Sequence, residues 1–211
     1  MNLFRTKHSS IPTADEALPG RDEPIPVPEL HEVLGRPLLP TFPDGVDYLL
    51  VGMGCFWGAE RIFWQTPGVW TTSVGYAGGH TRNPTYREVC SGKTGHAEVV
   101  LVAYETDKLS AADVLRIFWE GHDPTQGARQ GEDVGSEYRS AIYYFSDAQR
   151  QEAEASLEAY QRALSAAGFG PIATEISEAP EFHCAEEEHQ QYLAKHTGGY
   201  AEVSTTGVRY P

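Results

Sequence analysis

"VDYLLVGMGCFWGAERIFWQ", residues 46–65, changes its period half-way. Val46 to Met53 is a run of β-favouring apolar residues and reads as a buried strand. Phe56, Ala59, Ile62 and Phe63 then recur at helical spacing until Thr66-Pro67-Gly68 stops them. A strand thus runs into a helix within two or three residues, and a cysteine flanked by glycines marks the junction. Working outward, "VWTTSVGY" (69–76) is a second strand, rich in β-branched and aromatic residues. A glycine-, asparagine- and proline-bearing loop spans 77–95, and "HAEVVLVAYE" (96–105) is a third strand. Ser110 and Asp113 form a capping-box start for a helix over 112–122, since each side chain can satisfy the other's backbone N–H. "EYRSAIYYF" (137–145) is the fourth strand. The order β-α-β-β-α-β predicts an α+β fold of the split βαβ (ferredoxin-like) kind, a two-layer core with its helices on one face of a mainly antiparallel sheet. A helix over 148–166, a strand-like segment over 171–177 and a short helix over 185–196 follow.

The first 45 residues differ in kind. They hold eight of the fourteen prolines, and "EPIPVPELHEVLGRPLLPTFP" (23–43) spaces them too closely for a helix or central strand to persist. An extended arm over 1–45 is expected, with Leu30, Val33, Leu38, Leu39 and Phe42 laying part of it on the surface of one domain, 46–200. An irregular tail over 201–211 lacks cysteine. The 211 residues are 40% hydrophobic, enough to fill a core. Sixteen Lys and Arg against thirty Asp and Glu leave a formal net charge of -14, which repels phosphate backbones and anionic lipid, so nucleic acid and membranes are not expected as partners. No stretch approaches the roughly 18 apolar residues that cross a bilayer, and the N-terminus lacks the apolar segment of a secretory signal. Three cysteines are too few, and odd in number, for a disulfide-stapled secreted protein. The expectation is a cytoplasmic monomer.

Cys55 falls where free backbone N–H groups and the positive end of a helix dipole converge, a place that stabilises a thiolate, and Gly54 and Gly58 would let another molecule approach. It is a candidate nucleophile with a lowered pKa, and Phe56 and Trp57 are candidate walls of a small apolar pocket. Glu98, beside the apolar run "VVLV", is a candidate general acid. Tyr86, Asp133 and Tyr138 stand on loops that this topology can bring to the same end of the sheet, where tyrosine hydroxyls can donate to an oxygen atom. Singly, each has an ordinary explanation: a packed thiol, a solvated carboxylate, a turn-forming aspartate, two core tyrosines. Their conjunction suits reduction of a polar X=O bond.

The blocks "GCFWGAE", "GYAGG", "NPTYREVCSG", "TGHAEVV", "HDPTQGARQGEDVGSEYRSAIYY" and "AEEEHQQYL", in that order over about residues 24–200, resemble the A-type peptide methionine sulfoxide reductases. The resemblance implies that Cys55 attacks the sulfoxide sulfur and Glu98 delivers a proton to its oxygen. Tyr86, Tyr138 and Asp133 would hold that oxygen, and Phe56 and Trp57 would receive the substrate methyl. It also implies action on the S epimer, free or protein-bound, with no bound cofactor and a sulfenic acid left on Cys55. Many family members carry resolving cysteines in the tail that follows a Gly-Tyr pair. Here the tail reads "GGYAEVSTTGVRYP", with Ala201 after that pair. Recycling then falls to an external thiol (thioredoxin, another redoxin, a small-molecule thiol or dithiothreitol), or to Cys184 as a possible resolving residue, or the tail cysteines have been replaced. Cys90 is read as a packing residue.

Three rivals remain open. His183, Cys184, Glu186 and His189 contain an E-x-x-H spacing that would put two metal ligands on one helix face. Cys55 with His96 or His122 would make a thiol hydrolase. The same pocket without turnover would be a module that binds oxidised methionine.

Overall fold

Strand β1 (Val46–Met53) enters the middle of a six-stranded sheet in the computed structural model, which describes residues 10–200 and 204–211. Residues 1–9 of the expected arm and 201–203 of the expected tail lie outside the described residues. Helix α1 (Phe56–Trp64) leads to β2 (Val69–Ala77), a short α2 (Tyr86–Val89), β3 (Ala97–Glu105) and α3 (Ala111–Glu120). A small hairpin, β4 (Arg129–Gln130) with β5 (Asp133–Val134), and one 3-10 turn (Ser136–Tyr138) precede β6 (Ser140–Tyr144). Helix α4 (Asp147–Ala166), β7 (Glu175–Glu178), β8 (His183–Cys184) and α5 (Tyr192–Lys195) complete the elements among the described residues.

The sheet order is β7-β6-β1-β3-β2-β8, antiparallel at every pairing except β6 with β7. Each of the crossovers β1-α1-β2 and β3-α3-β6 skips one strand, so β1 and β3 share the centre. Alternation along the strands divides the core. Leu49, Val51, Val100, Val102 and Ile142 face the helices, where Phe56, Phe63, Phe118, Trp119 and Tyr160 meet them. Leu50, Val99, Leu101, Ala141 and Tyr143 face the other way, against Phe42 and Phe182. The period of two therefore assigns Glu98 to the helix side, two residues before Val100.

Several expectations change. The loop over 77–95 contains α2, whose cap is a full capping box: the Thr85 hydroxyl accepts from the Glu88 N–H, and Glu88 accepts from the Thr85 N–H. The fourth strand begins at Ser140 and not at 137, because residues 136–138 close a 3-10 turn first. The strand expected at 171–177 is β7, 175–178. The helix expected over 185–196 is a series of turns over 187–191 followed by α5 alone. Gln191 takes a left-handed conformation (φ 49°), which no continuous helix accommodates. In the arm, Leu38 is buried, Leu39 is half-buried and Phe42 packs edge-on against Tyr48, while Leu30 and Val33 remain exposed.

What binds the arm is polar. The His31 imidazole accepts from the Val33 and Leu34 N–H groups through Nδ1, so its Nε2 donates to the Thr72 hydroxyl (2.9 Å). Thr72 in turn donates to Glu60 (2.9 Å), which also accepts from the Gln191 backbone (2.9 Å) and amide (2.7 Å). The Gln191 carbonyl oxygen accepts from the Glu32 N–H. One buried carboxylate thus joins arm, α1, β2 and the residue before α5. Among the described residues no helix is long and apolar enough to cross a membrane.

Burial pushes the Glu60 carboxyl up to about 7, against the lowering effect of its donors. Because that lies above the ordinary carboxylate value, the folded chain holds the proton more tightly than the unfolded one. This group's contribution to stability is greatest at low pH and falls as pH rises from about 4.5 through about 7. Glu60→Ala strips an acceptor from three buried donors and is expected to lower unfolding free energy by about 3 kcal/mol or more, read from urea midpoints. The pH trend between 5 and 8 should flatten in the same variant.

Candidate active site

Gly54 makes the turn from β1 into α1 possible. Its φ is +89°, and a Cβ there would lie 2.6 Å from the Gln130 side chain. The next residue, Cys55, is the N-cap of α1, where the N–H groups of Trp57 and Gly58 favour a charge on its sulfur. The adjacent N–H, that of Phe56, donates to Glu98 Oε2 at 3.0 Å. Thiol and carboxyl therefore share one helix terminus. Cys55 is 8% exposed and Glu98 1% exposed, so both sit where solvent screens little.

The expected lowering of the Cys55 pKa is not what this environment produces. Burial raises it above the ordinary thiol value, the Glu98 and Asp133 carboxylates raise it further, and the two helix N–H groups only partly oppose them. A helix terminus favours a thiolate only while no carboxylate competes for it. With Glu98 ionised, Cys55 is held as the thiol.

Around this pair the structure gathers the other expected residues. Phe56 and Trp57 follow Cys55 in α1, and the Tyr86 ring stacks 6.2 Å from Phe56 and 5.9 Å from Trp57. The Tyr86 hydroxyl is raised by burial, then by Glu98, Cys90 and Tyr138, which places it among them. Tyr138 is buried on the 3-10 turn, and Asp133 accepts a hydrogen bond from Tyr200 at 3.2 Å. Cys90, read from sequence as packing, bonds to the Tyr86 side chain at the end of α2.

The block "AEEEHQQYL" had no role in the sequence reading beyond a possible metal site, yet it completes the walls. Glu186 accepts from the Tyr86 N–H (2.8 Å) and the Tyr76 hydroxyl (2.9 Å). Gln190 brackets Val74, taking its N–H and donating to its carbonyl. His189 accepts from the Trp57 indole at 3.3 Å, and Tyr192 stacks on that indole at 4.0 Å. The readable signal was the density of hydrogen-bonding side chains in a segment too polar to be core.

The rival sets are dispersed. His183 bonds Asn83, Cys184 meets Gln190 and the Val74 carbonyl, and Glu186 and His189 are engaged as above. Among the described residues no three His, Cys, Asp or Glu converge to hold a metal ion. His96 bonds Gly79 and Thr81, and His122 bonds Phe118 and Ser140, so neither partners Cys55. Cys184, pushed up to about 12 by burial and then by Glu60 and Glu186, lines a separate cleft with Pro24, Val27, Phe182 and His183.

Comparison with known proteins places this arrangement. The family model described as peptide methionine sulfoxide reductase matches residues 47–209. The chain belongs to that family. It is accordingly an oxidoreductase of methionine sulfoxide. The peptide methionine sulfoxide reductase MsrA of Rhodospirillum centenum is 57% identical over 211 residues, covering 100% of this chain and 96% of that protein. Methionine sulfoxide reductase A of Corynebacterium diphtheriae superposes with a TM-score of 0.85 at 43% identity, covering 94% of this chain and 99% of that one. Mxr1 of Saccharomyces cerevisiae, solved in complex with Trx2, matches at 21% identity and a TM-score of 0.52 over 79% of this chain and 94% of that one, a likeness of fold alone.

Glu98→Gln removes the first of the two charges that raise the thiol, so alkylation of Cys55 by iodoacetamide at pH 8 is expected to accelerate severalfold. Peptide mass spectrometry reads the rate at residue 55 separately from residues 90 and 184. An unchanged rate would remove Glu98 as a cause.

Proposed function

We propose that this protein reduces methionine S-sulfoxide, free or in proteins, with Cys55 as nucleophile and Glu98 as general acid. The observation that supports this most is the shared helix terminus: Cys55 caps α1, where the N–H groups of Trp57 and Gly58 favour charge on its sulfur, and Glu98 accepts from the N–H of Phe56. Only one of the two groups can carry negative charge there at low cost. With the proton on Glu98, the sulfur becomes a thiolate opposite an acid, which is the pairing that a sulfoxide requires.

In the proposed step, the thiolate attacks the sulfoxide sulfur while Glu98 protonates the oxygen. The sulfur–sulfur bond so formed breaks as that hydroxyl passes from the substrate sulfur to Cys55; methionine departs with the electron pair that the cysteine sulfur supplied, and Cys55 becomes a sulfenic acid. The Tyr86 and Tyr138 hydroxyls donate to the oxygen as charge gathers on it, with Asp133 ordering that side, and Phe56 and Trp57 take the methyl. Burial helps, because water excluded from the pocket neither competes for those donors nor screens them.

Recycling by an external thiol is the favoured route. It attacks the sulfenic sulfur, releases water, and a second thiol frees Cys55. A thioredoxin-type protein supplies two thiols in one molecule, and yeast Mxr1, which in its reduced form is 31% identical over 80% of this chain, has been solved in complex with Trx2. Cys184 is less suited, since its cleft is bordered by the arm and β8 and it bonds Gln190.

Mixing enzyme with substrate in the absence of reductant should yield about one equivalent of methionine per chain, because each cysteine sulfur supplies one electron pair. Dimedone should then label residue 55. Cys55→Ser should yield none, and Cys184→Ser should keep full turnover with dithiothreitol. Glu98→Gln should lower kcat by about 10²–10⁴. A Cys55–Cys184 disulfide after one turnover would replace the external route.

A further inference from the structure

Trp57 stands one residue into α1, half-buried, on an element that fixes its backbone but leaves two side-chain torsions free. What fixes the ring comes from the other end of the chain. Tyr192 stacks on it with centroids 4.0 Å apart and planes 16° apart, which limits tilt but lets one ring slide or turn over the other. Direction comes from the indole N–H, which donates to His189 Nδ1 at 3.3 Å.

His189 is itself held. It is 8% exposed, its N–H donates to the Glu186 carbonyl, and its ring lies 4.3 Å from Tyr86 and 5.8 Å from Phe56. It therefore lies against Phe56, Trp57 and Tyr86 together. An Nδ1 that accepts must be unprotonated, and burial lowers the His189 pKa, favouring that neutral form over the pull of Glu186 and Glu188.

We propose that His189 is a positioning residue which, by anchoring the Trp57 indole, sets the width of the apolar pocket and so selects a methyl substituent over larger ones. This rests on Trp57 being a wall of the methyl pocket, as argued above. Released from the anchor, the indole rotates about its side-chain torsions. The methyl substrate loses part of its contact, while an ethyl group gains room.

The test uses His189→Leu, His189→Asn and Trp57→Phe, assayed with dithiothreitol on the S-sulfoxides of N-acetylmethionine and N-acetylethionine. Asn can return an acceptor oxygen near the Nδ1 position, and Leu has similar bulk without one. His189→Met serves should the leucine variant not fold. His189→Leu is expected to raise KM for the methyl substrate up to about tenfold, the worth of one partly buried hydrogen bond, with kcat little changed. It should also narrow the methyl-over-ethyl preference and move the Trp57 indole N–H resonance upfield, that resonance being the one missing in Trp57→Phe. His189→Asn should restore all three.

The proposal is overturned if His189→Leu leaves KM, preference or the indole resonance unmoved, or if both substrates slow equally with no rescue by Asn, as a purely structural role would give. Trp57→Phe separates the two layers of argument. If it narrows the preference and His189→Leu does not, only the role of His189 fails. If it leaves the preference intact, the reading of Trp57 as the wall fails, and this inference with it.

Discussion

Two acids compete for one helix terminus, and the site is arranged around that competition. The N–H groups at the start of α1 can stabilise about one negative charge. Cys55 and Glu98 both reach them, one from the cap position and one from the adjacent β3 through the Phe56 N–H. In water such rivalry would cost little. With 1% exposure at Glu98 and 8% at Cys55, a second charge finds no solvent to spread into, and the proton moves to whichever partner holds it at lower cost. The resting state is thereby quiet towards other electrophiles, since a thiol is a poor nucleophile. When the proton passes instead to Glu98, the charge that holds the sulfur neutral is gone.

The remainder of the fold keeps that terminus in place. Alternation along β3 turns Glu98 to the helix face, and the φ of Gly54 lets β1 bend into α1 beneath it. The far side of the pocket is held by segments remote in sequence: Tyr86 on α2 is pinned by Glu186, and the indole of Trp57 lies between His189 and Tyr192. Glu60 and Gln191 fasten the last of these to α1 itself. Polar bonds do this because the walls must stop at a defined distance, which apolar contact alone specifies poorly.

What could be read from sequence follows from how local the physics is. β1, α1 and α3 carry their own periodicity and caps, so 46–53, 56–64 and the Ser110 start are found nearly to the residue. The block order then brings Cys55, Glu98, Tyr86, Asp133 and Tyr138 to one end of the sheet. α2 was legible as well, since Thr85 and Glu88 repeat the capping pattern of Ser110 and Asp113, but proline and glycine around it hid the signal. Two things were not local. The left-handed Gln191 broke a segment whose composition favours helix, because its side chain and backbone answer to Glu60, 131 residues away. The direction of the Cys55 shift depends first on burial and then on Glu98, 43 positions on in sequence, and no single stretch encodes either.

The chain through His31, Thr72, Glu60 and Gln191, with Glu32 closing on the same amide, has a consequence for synthesis. Its members span residues 31 to 191, so a nascent chain still lacking its last thirty residues carries Cys55 and Glu98 but neither the residues that pin the far wall nor the lock on its own arm. Translation delivers Cys55 early and its enclosure late, and the walls described here close only once the final segment has left the ribosome.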